Sequence, residues 1–276
     1  MNESNVITST KDCYARFHGI SVRERNGITE LRIHSRDGPA KWSLRAHLEL
    51  GQALAVLTRD PRVRAVILTG TGDAFIRERY YAHDFFSKAS AEEVSGKSMD
   101  AISWDVVQTG VIRLIDRLLD IPVPIIAAVN GPAFIHAELP LLCDIVLASS
   151  TAEFQNRHYQ DGLVAGDGSH VVWPLLLGVN RAQYFLLTGQ IISVDEALRL
   201  GVVSEILPQD LLLERAWELA EEIAAQPPLT TKYARALFTR PLKKVLADEL
   251  PYGLALQGLA ASISWLDHRT LLARPA

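Results

Sequence analysis

The sequence predicts an α/β fold, and three observations carry that reading. Two short unbroken apolar runs, Ala65–Thr69 and residues 124–129, each stop at a glycine turn, as strands buried on both faces do. A third such run, residues 144–148, follows with room for a helix before it. Segments of helical period alternate with these runs, which is the β–α–β order of a parallel sheet.

Taken in order, residues 1–12 are polar and form an expected loose tail. Residues 28–34 alternate as a strand, with Ile28, Leu31 and Ile33 apolar. Ser43 is placed to cap a helix carrying Leu44, Leu48, Leu50, Leu54 and Leu57. Ala65–Thr69 closes on Gly70-Thr71-Gly72. Residues 77–98 are polar and irregular, a surface excursion that includes Arg77-Glu78-Arg79-Tyr80-Tyr81. Residues 106–119 have helical period. The strand at 124–129 closes on Asn130-Gly131-Pro132. Short helices at 171–177, 182–187 and 194–200 are separated by Gly178, Gly189 and Gly201, and a last strand covers 203–207. Residues 211–225 place Leu212, Ala216, Leu219 and Ile223 on one helix face. Two further helical stretches, 228–240 and 242–266, are expected to break at Pro241 and Pro251. The expected organisation is a tail (1–12), a β/α core (13–208) and a helical region (209–276).

Composition narrows the partners. The 276 residues are 48% hydrophobic and 22% charged, and 28 Lys+Arg face 32 Asp+Glu. The net charge of −4 offers no basic excess to neutralise phosphates, which argues against nucleic acid. Cys13 and Cys143 are too sparse for a disulfide scaffold and suit a reduced, cytoplasmic protein. The N-terminus has no apolar core of a secretory signal. The most apolar stretch, 121–149, is broken by Asn130, His136, Glu138 and Asp144, so no membrane span is expected.

Motifs for common cofactors are missing. Gly70-Thr71-Gly72 has neither the Lys-Ser/Thr of a phosphate loop nor the third glycine of a dinucleotide loop. There is no G-x-S-x-G elbow and no His-x-x-x-His or Cys-x-x-Cys metal spacing. Neither metal nor cofactor is expected. Histidines at loop junctions stand out instead: His136 past a strand, His158 in Phe154-Gln155-Asn156-Arg157-His158, and His170 after Gly166-Asp167-Gly168-Ser169. The Gly-rich turn 162–168 can bring Asp167 back toward His158, where a carboxylate fixes the imidazole tautomer and improves the base. The local sequence alone favours Asp167 as a cap of the helix that follows, and His136 as a satisfied buried imidazole.

Several motifs resemble the crotonase (enoyl-CoA hydratase/isomerase) superfamily. They are Val129-Asn130-Gly131-Pro132-Ala133, then Glu138 through Cys143-Asp144, the turn from Gly162 to Gly168, and Phe185 to Gly189 with Glu196-Ala197-Leu198 before Gly201. Together they cover roughly residues 27–265. The resemblance implies a ββα spiral core, a C-terminal helical trimerisation region, and a homotrimer or dimer of trimers. Glu138 aligns with the first catalytic glutamate of coenzyme A hydratases, but His158 holds the slot of the second. Phe134-Ile135-His136-Ala137 replaces the family's Gly-Gly-Gly run, and the loop is one residue shorter. These features, with Gly166-Asp167-Gly168 and His170, resemble the β-diketone hydrolases of the superfamily, which cleave a carbon–carbon bond without coenzyme A. That implies His158 as base, Asp167 as its partner, His136 on a substrate carbonyl, and His47, Trp42, Glu138 and Gln257 around a small diketone. Gln257 stands where those hydrolases carry Glu, and an amide cannot shuttle a proton. Residues 75–85 are longer than the family's oxyanion loop, and Ala82-His83-Asp84 lacks its glycine. The alternatives are a hydratase or isomerase of coenzyme A thioesters, and a non-catalytic subunit of the same fold.

Overall fold

The computed structural model describes residues 14–36, 38–79 and 101–272, and of 101–103 and 263–272 only the backbone. The expected tail, Cys13, most of the expected excursion and Ala82-His83-Asp84 lie outside the described residues.

The described chain forms a six-stranded sheet of β1 (Ile20–Arg25), β2 (Ile28–Ile33), β4 (Ala65–Thr69), β6 (Ile125–Val129), β7 (Ile145–Ser149) and β10 (Glu205–Leu207), in the order β1-β2-β4-β6-β7-β10. All pairs are parallel except β1 with β2. Two-residue strands β3 (Lys41–Trp42) with β5 (Glu78–Arg79), and β8 (Glu153–Phe154) with β9 (Ile192–Ser193), form separate ribbons. The fold is α/β, as the apolar runs predict.

Strand alternation builds two cores. Val66, Leu68, Ile125, Ala127 and Val129 face the larger core with α1 (Leu44–Arg59) and α2 (Ala101–Asp120). Ile67, Ile126, Ala128 and Leu147 face Leu212, Ala216 and Ala220 of α7 (Leu212–Ala225). Between them in the chain come α3 (Glu138–Leu141), α4 (Ser169–Leu177), α5 (Val179–Thr188) and α6 (Val194–Arg199), and α8 (Pro228–Leu272) closes it. Ser43 caps α1 by accepting the Ala46 N–H at 3.1 Å, as its sequence position implies.

The sequence reading did not place the short strands β3, β5, β8 and β9, with β5 lying in the expected irregular excursion, and two larger features also differ from it. Strand β1 is an addition: Asn26 and Gly27, with φ of 52° and 78°, make a two-residue turn that folds Ile20–Arg25 back onto β2. Helix α8 is also continuous through Pro241 and Pro251. Both prolines sit on its exposed side, where water can satisfy the freed carbonyls, while Leu246, Leu250 and Leu254 hold the opposite side in the core.

Arg235 ties α8 to that core. Its guanidinium donates to Leu118 O at 3.2 Å, Leu119 O at 3.0 Å and Ile121 O, the carbonyls at and beyond the last turn of α2. It also meets Asp144 Oδ2 at 2.7 Å, and the same oxygen accepts the Ile125 N–H at the start of β6. One side chain, 2% exposed, therefore joins two helices and the sheet. Arg235→Met should cost about 3–5 kcal/mol, because it strands a carboxylate and three carbonyls. Urea unfolding checks this, and a loss below about 1 kcal/mol contradicts it.

Candidate active site

The candidate site lies past the C-terminal ends of β4, β6 and β7, where parallel sheets place their chemistry. Asn130, just after β6, fixes the neighbouring loop: its Oδ1 accepts the Gly70 N–H at 3.0 Å, and its Nδ2 donates to Gly72 O and Ala74 O. The chain then runs beside residue 76, whose carbonyl accepts the N–H groups of both Phe134 and Ile135. Those two amides are therefore not available as oxyanion donors. His136 follows in a left-handed backbone, φ 51°. Such a conformation costs on the order of 1–3 kcal/mol in a non-glycine residue. It turns the imidazole into a cleft.

Trp42, His47, Arg79, Trp104, His136, Asn156, Arg157, His158, Asp161, Asp167 and Gln257 all contribute to the walls of that cleft. The structure thus gathers every sequence-predicted site residue except one at its surface. Glu138 does not line the cleft. It is 1% exposed and sits behind His136, with Oε1 2.5 Å from His136 Nδ1. A residue sealed there supports the imidazole instead of touching a substrate. Trp42, His47 and His136 form a triangle of rings, with centroids 4.7–5.6 Å apart. Helix α1 supplies His47, whose ring lies over Gly110 of α2.

Beneath the cleft runs a closed polar circuit. Asn156 Oδ1 accepts the His158 backbone N–H at 3.2 Å and faces His158 Nδ1 at 3.1 Å. Asn156 Nδ2 donates to Ser169 Oγ at 2.9 Å, and Ser169 Oγ donates to Glu138 Oε2 at 3.2 Å. Glu138 meets His136, and Asp167 Oδ2 lies between the two imidazoles, 3.1 Å from His158 Nε2 and 3.6 Å from His136 Nδ1. Neither ring N–H points at that oxygen in line. Asp167 Oδ1 is 3.4 Å from the Ser169 N–H at the start of α4. The two readings of Asp167, cap and partner, thus apply to different oxygens of one carboxylate. Asn156 and Ser169 are contributors that the sequence reading did not single out. Asn156 sits two residues before His158, a spacing that suits an amide reaching back to the imidazole.

The electrostatics follow from burial. Burial alone would raise Asp167, but the charges of His158 and then His136 outweigh it and hold the carboxyl well below the usual carboxylate range. Burial opposes charge on His136, but Glu138 and its hydrogen bond overcome this and raise its pKa. Burial, and then the Asp167 charge, raise Glu138. His47 goes the other way: burial, and then His136, lower it to about 3, so it stays neutral. Polar atoms of cleft-lining residues without a hydrogen-bond partner among the described residues are Trp42 Nε1, His47 Nε2, Trp104 Nε1, Asp167 Oδ2 and Gln257 Oε1. A cleft walled by unsatisfied buried donors and acceptors is built to bind something polar. His136, Glu138 and Asp167 also bring ligand-type atoms within 4.8 Å of one another, but the His136–Glu138 bond already engages two of them.

Helix α8 closes the cleft. A Cβ on Gly166 would lie 2.1 Å from Gly253 O, so the 162–168 turn and α8 meet backbone to backbone. His170 supports the same junction, its two ring nitrogens 3.0 Å from Ala165 O and 3.2 Å from Glu249 O. One turn beyond Gly253, Gln257 reaches the cleft.

Residues 23–259 match the model of the enoyl-CoA hydratase/isomerase family. This chain belongs to that family. A solved structure similar to it is a β-diketone hydrolase from the cyanobacterium Anabaena sp. PCC 7120, bound to (S)-3-oxocyclohexyl acetic acid. It is 37% identical with a TM-score of 0.85, over 94% of this chain and 98% of that one. An enoyl-CoA hydratase/isomerase from Mycobacterium paratuberculosis superposes with a TM-score of 0.81 at 26% identity, over 92% and 97%. Among curated family members, the mitochondrial enoyl-CoA hydratase of Pongo abelii is 33% identical over 72% of this chain, and the match spans 64% of that protein's length. The carnitinyl-CoA dehydratase of Salmonella heidelberg is 32% identical over 78% of each. The crotonase family is one of enzymes, and among the described residues no helix is long and apolar enough to cross a membrane.

His47 gives a pH test. Its folded pKa of about 3 lies below the ordinary 6.5, so the folded chain binds fewer protons between those values. Stability from this group is full above about pH 6.5 and falls as pH drops toward 3. His47→Gln should therefore lose less melting temperature than wild type between pH 7 and pH 5. Parallel curves from thermal unfolding across that range would contradict the burial of a neutral His47.

Proposed function

We propose that this enzyme hydrolyses a carbon–carbon bond of a cyclic β-diketone by a retro-Claisen route, without coenzyme A. The observation that carries the reading is the circuit of His158, Asn156, Ser169, Glu138 and His136 around the Asp167 carboxylate. It puts two imidazoles at the cleft where the coenzyme A hydratases use two carboxylates, and it buries the remaining glutamate. The likeness to a β-diketone hydrolase over nearly the whole chain supports it.

Asn156 sets the chemistry of His158. Its Oδ1 already accepts the His158 backbone N–H, so it is the acceptor that holds a proton on Nδ1. The lone pair of a neutral His158 is then on Nε2, beside Asp167. Nε2 takes a proton from water as the water oxygen attacks one substrate carbonyl carbon. The imidazolium forms 3.1 Å from a carboxylate held ionised for that purpose. His136 offers Nε2 to the carbonyl oxygen, since Nδ1 is engaged by Glu138, and stabilises the tetrahedral oxyanion. Collapse re-forms the carbonyl and breaks the bond to the carbon between the two carbonyls. The electron pair leaves as an enolate delocalised onto the second carbonyl. Nε2–H of His158 protonates that carbon, and the attacked carbon, now a carboxylic acid in the same ring-opened molecule, loses its remaining acid proton to solvent as a carboxylate. Gln257 can donate a hydrogen bond to an enolate oxygen but moves no proton. The reading extends to a cytoplasmic homotrimer or dimer of trimers, supported by Tyr233, Leu237 and Phe238 exposed along α8.

Loss of the enol absorbance of a cyclic 1,3-diketone tests the activity, with no saturable coenzyme A binding expected by calorimetry at sub-millimolar concentration. His158→Ala should lower turnover roughly 10²–10⁴-fold, and activity within a few-fold of wild type overturns the base assignment. Asn156→Leu should lower kcat about tenfold or more and displace the acidic limb of the pH–rate profile. A fall in stability with an unmoved profile would make Asn156 structural only.

A further inference from the structure

The rim of the cleft carries charge that the mechanism does not use. Arg79 on β5 and Arg157 both line the cleft, and Asp161 lies between them. Asp161 Oδ2 is 2.6 Å from Arg79 Nη2, while its Oδ1 is 3.8 Å from Arg157 Nη2. A tight turn sets this spacing, with the Asp161 N–H bonded to the carbonyls of Arg157 and His158. The Arg79 side chain is 26% exposed and that of Arg157 45%. Burial, set against the Asp161 charge and reinforced by Arg157, lowers the Arg79 pKa, so the two guanidiniums feel each other. One carboxylate is thus shared unequally between two guanidiniums. Arg157, the more exposed, has the longer contact and sits next in sequence to the proposed base.

We propose that Arg157, backed by the Arg79–Asp161 pair, forms a carboxylate subsite at the mouth of the cleft that receives the acid created by carbon–carbon cleavage. The proposal rests on the hydrolase reading, because only that reaction turns an uncharged diketone into a carboxylate. A neutral substrate gains nothing from a guanidinium at the rim. The oxo acid gains a charge-assisted hydrogen bond, which draws it away from His158 and Asp167 and toward solvent. The same positive rim suits the phosphates of coenzyme A, and the test separates the two anions.

The test is isothermal titration of wild type, Arg157→Gln and Asp161→Asn with a cyclic-ketone acetic acid and with its methyl ester. The acid should bind wild type about tenfold or more tighter than the ester. Arg157→Gln should remove most of that ratio, and Asp161→Asn, which takes away the competing carboxylate, should widen it. Opposite signs at two neighbouring residues are not what a merely structural role gives. Equal binding of acid and ester by wild type, or an unchanged ratio in Arg157→Gln, overturns the subsite. Diketone turnover is measured on the same samples. Turnover without acid–ester discrimination defeats the subsite and leaves the hydrolase reading standing. Coenzyme A binding that Arg157→Gln abolishes, with no diketone turnover, overturns the carboxylate assignment together with that reading.

Discussion

One buried carboxylate organises this site. Asp167 is 1% exposed, and an ion so far from water persists only where neighbours replace its hydration. Two imidazoles flank it here, His158 on one side and His136 on the other, and their charges favour its ionised form. Each imidazole must then be held against its own preference for water. Asn156 holds His158 and Glu138 holds His136, and Ser169 links the two supports. Removing Asn156, Ser169 or Glu138 leaves a buried polar group on its neighbour unpaired, so these three supports depend on one another.

The fold exists around this requirement. The members come from the segments after β6 and β8, from α3 and from the start of α4. They converge because the segment after β6 pairs with β8, the Ala133 N–H bonding Glu153 O and the Gln155 N–H bonding Ala133 O. Arg235 against Asp144 anchors α8 at the N-terminal ends of β6 and β7, and Gly166 against Gly253 holds its later turns over the site at the other end. The left-handed backbone at His136 is strain that the surrounding hydrogen bonds sustain. With glycine at that position the strain would vanish, and so would one imidazole.

Much of this was legible in sequence, for identifiable reasons. The apolar runs that became β4, β6 and β7 are buried on both faces and carry a pattern that needs no tertiary knowledge. The Gly-rich turn before His170 placed Asp167 near His158 because a turn is the only local device that can. What failed was set by tertiary context. Pro241 and Pro251 read as breaks, yet the break depends on which side of α8 faces water. Strand β1 was signalled by Asn26-Gly27, but Ile20–Arg25 has too few apolar residues to announce an edge strand. Glu138 read as a substrate contact because alignment gives a position and not a direction, and His136 stands in front of it. The role of Asn156 depends on which nitrogen of His158 it meets, which no sequence pattern encodes.

The central claim is that Asp167 serves as a charge beside the proton-accepting nitrogen of His158, and not as a helix cap alone. Asn replaces Asp as a cap with little loss, but it carries no charge to stabilise an imidazolium. Diketone turnover by Asp167→Asn, measured against pH alongside its melting temperature, is therefore the most direct measurement. The account predicts a melting temperature near wild type, turnover lower by about tenfold or more, and a displaced acidic limb. Turnover and pH profile unchanged in an intact fold would contradict it.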